Sequence, residues 1–196
     1  MRRLKGLNAY CIIRMTDVNH HHSNQRRLFF ALWPDDKVRN DIFQRFNKVS
    51  QSRFSGRQLH KNNLHLTLHF IGNVSAQKFD CVASVADEIQ AKSFQFRLDH
   101  FGSFTKAQVF WDGVSEIPEG LSQLHKQLGH SLTKCDYFPE IRAFTPHVTL
   151  MRKFKSREVL MPHKPVIWQV NQFALVESVS VEGGVEYRPL RFYDLV

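Results

Sequence analysis

His65-Leu66-Thr67-Leu68 returns later in the chain, almost unchanged, as His147-Val148-Thr149-Leu150. The runs around the two copies, Leu64 to Ile71 and His147 to Lys153, read as β-strands. Side chains alternate faces along a strand. His and Thr two positions apart therefore point one way, and Leu66, Leu68, Val148 and Leu150 point the other way, into a core. The chain builds one small polar device twice: an imidazole and a hydroxyl on the exposed face of a strand.

Working outward, Arg27-Leu28-Phe29-Phe30-Ala31-Leu32 reads as a strand stopped by Pro34. Pro34-Asp35-Asp36 opens a helix over Lys37–Val49, with Val38, Ile42, Phe46 and Val49 at helical spacing. After the first motif, Gly72-Asn73 closes the strand, and Ser75 is an N-cap for a helix running through Ala91. Strands follow at Phe94–Phe101 and Gln108–Val114, then a helix over Glu119–Lys134. Beyond the second motif, strands are expected at Val166–Glu177 and Val185–Phe192, joined near Gly183-Gly184. This mixture of hairpins and helices, without strict βαβ alternation, indicates an α+β fold with largely antiparallel sheets. One motif falls in each half, which suggests two lobes related by a pseudo-two-fold axis.

The 196 residues suffice for a single bilobal domain over residues 26–196. Residues 1–25 differ from the rest and are expected to be either a disordered extension or a start assigned upstream of Met15. With 42% hydrophobic and 23% charged residues and no long apolar run, the composition excludes a membrane-spanning helix. The three cysteines, Cys11, Cys81 and Cys135, are widely spaced and suit a reducing cytoplasm better than a disulfide scaffold. A net charge of +9 permits binding to a polyanion such as RNA without establishing it.

Two imidazoles suit acid–base chemistry on a phosphate. Each titrates near neutrality, so one ring can be neutral while the other is charged. Cleaving a phosphodiester needs a base for the nucleophile and an acid for the leaving oxygen, while threonine hydroxyls can donate to the non-bridging oxygens. A lone His on a strand is more often structural, and the repetition of the pair in matching contexts is what favours function. No zinc-type Cys/His spacing, His-Glu-x-x-His motif or glycine-rich phosphate loop is present, so neither zinc nor ATP-driven chemistry is indicated.

His65-Leu-Thr-Leu and His147-Val-Thr-Leu resemble the paired signature of the two-histidine phosphoesterases. More closely, the chain resembles the RNA 2′,3′-cyclic phosphodiesterases, also called 2′-5′ RNA ligases. The likeness includes Arg27-Leu-Phe-Phe-Ala-Leu, the run Asn63 to Ala76, and Pro146-His-Val-Thr-Leu-Met-Arg152, over roughly residues 26–193. The resemblance implies a bilobal α+β fold, with antiparallel-rich sheets flanking a central cleft and helices outside. It implies hydrolysis of a 2′,3′-cyclic phosphate at an RNA end to a 2′-phosphomonoester, with 2′-5′ ligation as an accompanying activity. By the family's roles His65 is the proton donor, His147 the proton acceptor, and Thr67 and Thr149 grip the phosphate. The implied partner is RNA with a cyclic phosphate end, tRNA fragments included. No cofactor, metal or membrane is implied, and the expected enzyme is a cytoplasmic monomer.

Two further residues carry over. Arg152 lies on the opposite strand face from His147 if the strand is regular, but can reach the cleft where the strand ends to bind substrate. Phe29, matching the family's Arg-x-Phe-x-Ala pattern, would line the cleft with Ala31 and stack on a base, or else pack in the core. His69 shares a face with His65 and Thr67 in a regular strand, without an assigned role. Hydrolysis of another cyclic nucleotide or a 2′-5′ oligonucleotide, and non-catalytic binding of RNA ends, remain alternatives.

Overall fold

The computed structural model describes residues 25–50, 54–139, 141–155 and 160–196. The expectations for residues 1–24 lie outside the described residues. Strand β1 (Arg26–Leu32) leads into helix α1 (Asp36–Ser50), whose first turn is capped by Asp35 Oδ1, accepting from the Val38 amide at 2.7 Å. The short β2 (Arg57–Gln58) and a 3₁₀ turn (Lys61–Asn63) precede β3 (Leu66–Val74). Ser75 caps α2 (Ala76–Asp87), as its sequence position indicates, through the Lys78 amide. The hairpin β4 (Phe94–Phe104) and β5 (Val109–Gly113) is followed by α3 (Glu119–Leu132), β6 (His147–Arg152), β7 (Leu160–Val170), β8 (Gln172–Val181) and β9 (Gly184–Asp194).

Every strand pairing is antiparallel among the described residues, in the order β7-β4-β5-β6-β3-β1-β8-β9, with β2 beside β6. The α+β class is as expected. Two halves are evident, β7-β4-β5-β6 and β3-β1-β8-β9, and among the described residues the strand ladder between them is the one pair Leu66↔Val148. The motif strands β3 and β6 are thus the inner edges of the two halves. The apolar alternate residues Leu28, Phe30 and Leu32, Leu66 and Leu68, and Val148 and Leu150 enter one core. The buried stripes of α1 (Val38, Ile42, Phe46), α2 (Val82, Val85, Ala86) and α3 (Leu121, Leu124, Leu128, Leu132) enter the same core. The three helices among the described residues therefore serve the face that the His and Thr side chains avoid.

Two expectations change. The run Val166–Glu177, read as one strand, is divided at Asn171 between β7 and β8, which belong to different halves. Polar residues stand in that run at Gln169, Asn171 and Gln172, but they do not reveal that the chain crosses there from one half of the sheet to the other. Because one residue separates β7 from β8, the end of the outer strand of one half lies close to the start of β8, one strand in from the margin of the other. The cysteines also differ from expectation. Cys81 on α2 and Cys135, in the 3₁₀ turn after α3, form a disulfide with their Cα atoms 5.9 Å apart. Wide spacing in sequence concealed the proximity that helix packing creates, and the cysteine argument for a reducing compartment no longer holds.

One packing detail bears on the site. Gly102 of β4 pairs with Trp111 of β5, and the indole lies flat over Gly102 and Gly113. A Cβ at Gly102 would meet the indole at 2.2 Å, so only glycine lets the ring lie there. Trp111 in turn packs toward His147, with ring centroids 6.1 Å apart. Gly102→Ala is expected to displace the indole and lower stability by about 1–3 kcal/mol. A lower melting temperature together with altered tryptophan fluorescence would show this; an unchanged melt and spectrum would contradict it.

Candidate functional site

The Leu66↔Val148 pair fixes the geometry of the site. Continuing that antiparallel register places His65 opposite Thr149 and Thr67 opposite His147, all on one face. Diagonal neighbours in such a ladder are about 7–8 Å apart at the backbone, leaving space between the two imidazoles for a small tetrahedral group. His65, Thr67, His147 and Thr149 are each half-buried, while Leu66, Val148 and Leu150 between and beyond them are buried. All four polar residues line one cleft of about 510 Å³.

The two rings are oriented by the same device. His65 Nδ1 is 2.7 Å from the Asn63 carbonyl, and His147 Nδ1 is 2.7 Å from the Thr145 carbonyl, each two residues back. A carbonyl only accepts, so Nδ1 carries the hydrogen in both rings. Nε2 is then the atom left for chemistry. Asn63 is itself anchored to β9, its Nδ2 donating to the Val185 carbonyl at 2.8 Å and its Oδ1 accepting from the Tyr187 amide at 3.2 Å. On the other side, Pro146 follows Thr145 and disfavours helical backbone there.

Aromatic residues wall both rings. His65 is stacked on Trp33 at 5.9 Å, tilted against Phe29 at 4.8 Å and edge-on to Tyr187 at 4.9 Å. His147 meets Phe104 edge-on at 5.0 Å and Trp111 beyond it. Burial is the main cause that pushes His65 down from its usual 6.5 to about 4. The Asn63 carbonyl works against that shift, and the charges of Arg152 and His147 add to it. His147 is also lowered, chiefly by burial and further by Arg142 and Arg152, against the Thr145 carbonyl.

Both motif strands carry a β-bulge just after the threonine. On β3 the register against β1 passes from Ala31↔Thr67 to Phe30↔His69, leaving Leu68 as the extra residue. On β6 the register against β5 passes from Trp111↔Thr149 to Phe110↔Met151, leaving Leu150 extra. A bulge reverses the alternation that follows it. His69 and Met151 are therefore buried, and Phe70 and Arg152 emerge on the cleft side. This corrects two expectations that assumed a regular strand. Arg152 shares the face of His147 rather than opposing it. His69, which a regular strand places beside His65, is 4% exposed and borders the cleft beside His125 instead. Its Nε2 is 2.8 Å from the His125 carbonyl, and its ring stacks on His125 at 4.2 Å.

Phe29 is placed differently from its expected role on the cleft wall. It is 3% exposed and packs with Ala31, Ala174 and Val176 behind the His65 ring. It supports the imidazole. Several cleft residues carried no signal in the sequence. Lys106 and Arg142 add positive charge to the cleft, and Tyr137, Pro139 and Phe144 form its far end beside His125. They come from turns and loops, where no alternation marks which side chains face inward.

Residues 34–182 match the sequence profile of the 2′-5′ RNA ligase superfamily. The RNA 2′,3′-cyclic phosphodiesterase of Escherichia coli (strain K12) is 33% identical over 175 residues, covering 88% of this chain and 98% of its own. The protein of the same name from Aquifex aeolicus is 29% identical over 177 residues, covering 82% and 93%. The crystal structure of Escherichia coli LigT complexed with 3′-AMP superposes with a TM-score of 0.79 at 31% identity, covering 88% of this chain and 99% of that one. With paired His-x-Thr strands meeting at one cleft and a profile match over most of its length, the chain belongs to the 2′-5′ RNA ligase superfamily.

Proposed function

We propose that this cleft hydrolyses the 2′,3′-cyclic phosphate at an RNA end to a 2′-phosphomonoester, and that it does so without a metal. The observation that carries the reading is the matched pair of imidazoles in one cleft, each with Nδ1–H tied to the carbonyl two residues back and Nε2 left for proton transfer. In this reading His147 Nε2 takes a proton from water as its oxygen attacks phosphorus. The bond from phosphorus to the 3′-oxygen breaks, and His65 Nε2–H protonates that oxygen. Thr67 and Thr149 hydroxyls donate to the non-bridging oxygens, and Arg152 offsets their charge. The names of the Escherichia coli and Aquifex relatives support the substrate class.

A 5′-hydroxyl in the place of water would undergo the same bond changes and leave a 2′-5′ linkage, which is the ligation expected of the superfamily. All four polar side chains come from one chain, so a monomer is a sufficient catalytic unit. The RNA substrate, tRNA fragments among its forms, fits a cytoplasmic enzyme. Among the described residues no helix is long and apolar enough to cross a membrane.

Incubation with a nucleoside 2′,3′-cyclic phosphate, followed by identification of the product isomer, tests the reading. A 2′-phosphate is expected, and a 3′-phosphate would reverse the assigned roles. His65→Ala and His147→Ala should each lower kcat/KM by about 10²–10⁴-fold while the melting temperature holds. Full activity in either variant would sink the mechanism. Turnover should persist in EDTA, and loss restored by added metal would contradict the metal-free reading.

The pH dependence follows from the lowered imidazole values. A ring with a lowered pKa gives up its proton at a lower pH, so the form with one charged and one neutral ring is most populated on the acid side of 6.5. For the free enzyme, kcat/KM should therefore peak below that value and fall as pH rises through it. A bound phosphate anion favours the charged imidazole, so the kcat profile should lie at higher pH than that of kcat/KM. Rate profiles measured at low and saturating substrate check both limbs; coincident profiles peaking above pH 7 would be inconsistent with this electrostatic account.

A further inference from the structure

Beyond Asn63 and Tyr187 from the catalytic cleft lies a second space of about 390 Å³. Arg27 of β1, Arg57 of β2 and Arg152 of β6 all line it, with His60 beside them and no carboxylate in its wall. Among the described residues, the arginines paired with acids are Arg26, Arg39, Arg188 and Arg191. The three in this space have no such partner there. Arg57 and Arg152 are moreover directly opposite one another in the β2–β6 pairing. Like charges facing each other across a ladder are destabilising. An anion between them would relieve that repulsion, and guanidinium groups are well matched to phosphate. The β8–β9 turn borders the space: an atom at the Cβ position of Gly184 would be 3.5 Å from Arg57 Nη1.

Arg152 lines both this space and the catalytic cleft. A strand whose reacting phosphate sits between His65 and His147 can thus place another phosphate on the far side of the same arginine. We propose that the pocket of Arg27, Arg57 and Arg152 is a second phosphate subsite. It would take the phosphate on the 5′-oxygen of the terminal nucleotide and so favour polynucleotide ends over single nucleosides. The proposal rests on the reading of the cleft as the site of the reacting phosphate. Arg57 would be a specificity-determining residue, with no part in the bond changes.

The test compares binding of three ligands by calorimetry at fixed salt: a nucleoside 2′-phosphate, a nucleoside 2′,5′-bisphosphate and a dinucleotide ending in a 2′-phosphate. The two ligands with a second phosphate should bind the native protein about tenfold more tightly, the worth of one charge-assisted hydrogen bond. Arg57→Ala should lose that advantage while binding the one-phosphate ligand as before, and Arg57→Lys should keep part of it. A gain with both ligands assigns the site to any 5′-phosphate, and a gain with the dinucleotide alone assigns it to an internucleotide diester. Equal affinities for all three ligands, or a uniform loss in Arg57→Ala, would overturn the subsite. Arg57 is exposed and lies in a two-residue strand, so an unchanged melt is the expected control. Failure of the native protein to turn over a cyclic phosphate would defeat the reading of the cleft alone, because the binding difference at Arg57 is read without turnover.

Discussion

The site depends on one contact between the halves of the sheet, the backbone pair Leu66↔Val148. Both residues are fully buried and belong to the common core, so the pairing is held by apolar packing as well as by hydrogen bonds. Its register determines the chemistry. A slip by one residue would carry every side chain of a strand to the other face. His and Thr would then enter the core, with Leu and Val in the cleft. The cost of burying an imidazole and a hydroxyl without partners, on top of exposing two aliphatic side chains, makes the observed register the favoured one. The same residues that direct folding thus align the paired His and Thr side chains.

The bulges at Leu68 and Leu150 complete that arrangement. In a regular strand Arg152 would point into the core, where an unpaired guanidinium is very costly, and Met151 would face the cleft. The extra residue after each threonine exchanges these roles. On β6 it delivers a positive charge to the place where the phosphate is expected; on β3 it delivers Phe70 to the cleft and tucks His69 against α3. A repeated motif followed by a repeated irregularity makes the two strands equivalent over six positions, although the sequence similarity stops after four.

The legible parts of the chain were those governed by local rules. Alternation separated His65, Thr67, His147 and Thr149 from their apolar neighbours, and the Asp35 and Ser75 positions announced two helix starts. What was hidden depended on tertiary context. A bulge is a property of two paired strands, so the alternation of β3 or β6 alone could not expose it. The division at Asn171, the approach of Cys81 to Cys135, and the walls formed by Trp33, Phe104, Trp111 and Tyr187 all arise from segments distant in sequence. Phe29 was singled out correctly as belonging to the neighbourhood of the site, yet burial gives it a supporting position behind His65.

Electrostatics gives the cleft a consistent character. Aromatic walls remove water from both imidazoles, and Arg152 adds a positive charge near each, so both rings favour the neutral form. Taken alone, this opposes the task assigned to His65, which must hold a proton in order to donate it. A bound phosphate reverses the balance, since its negative charge offsets Arg152 and favours a charged ring beside it. In a cleft poor in water that effect is stronger than it would be in bulk solvent. In the proposed reaction the arginine would act in two senses: without substrate it discourages a stored proton, and with substrate it would help hold the anion that draws the proton in. On this account, protonation of the acid is coupled to occupancy of the site by a phosphate.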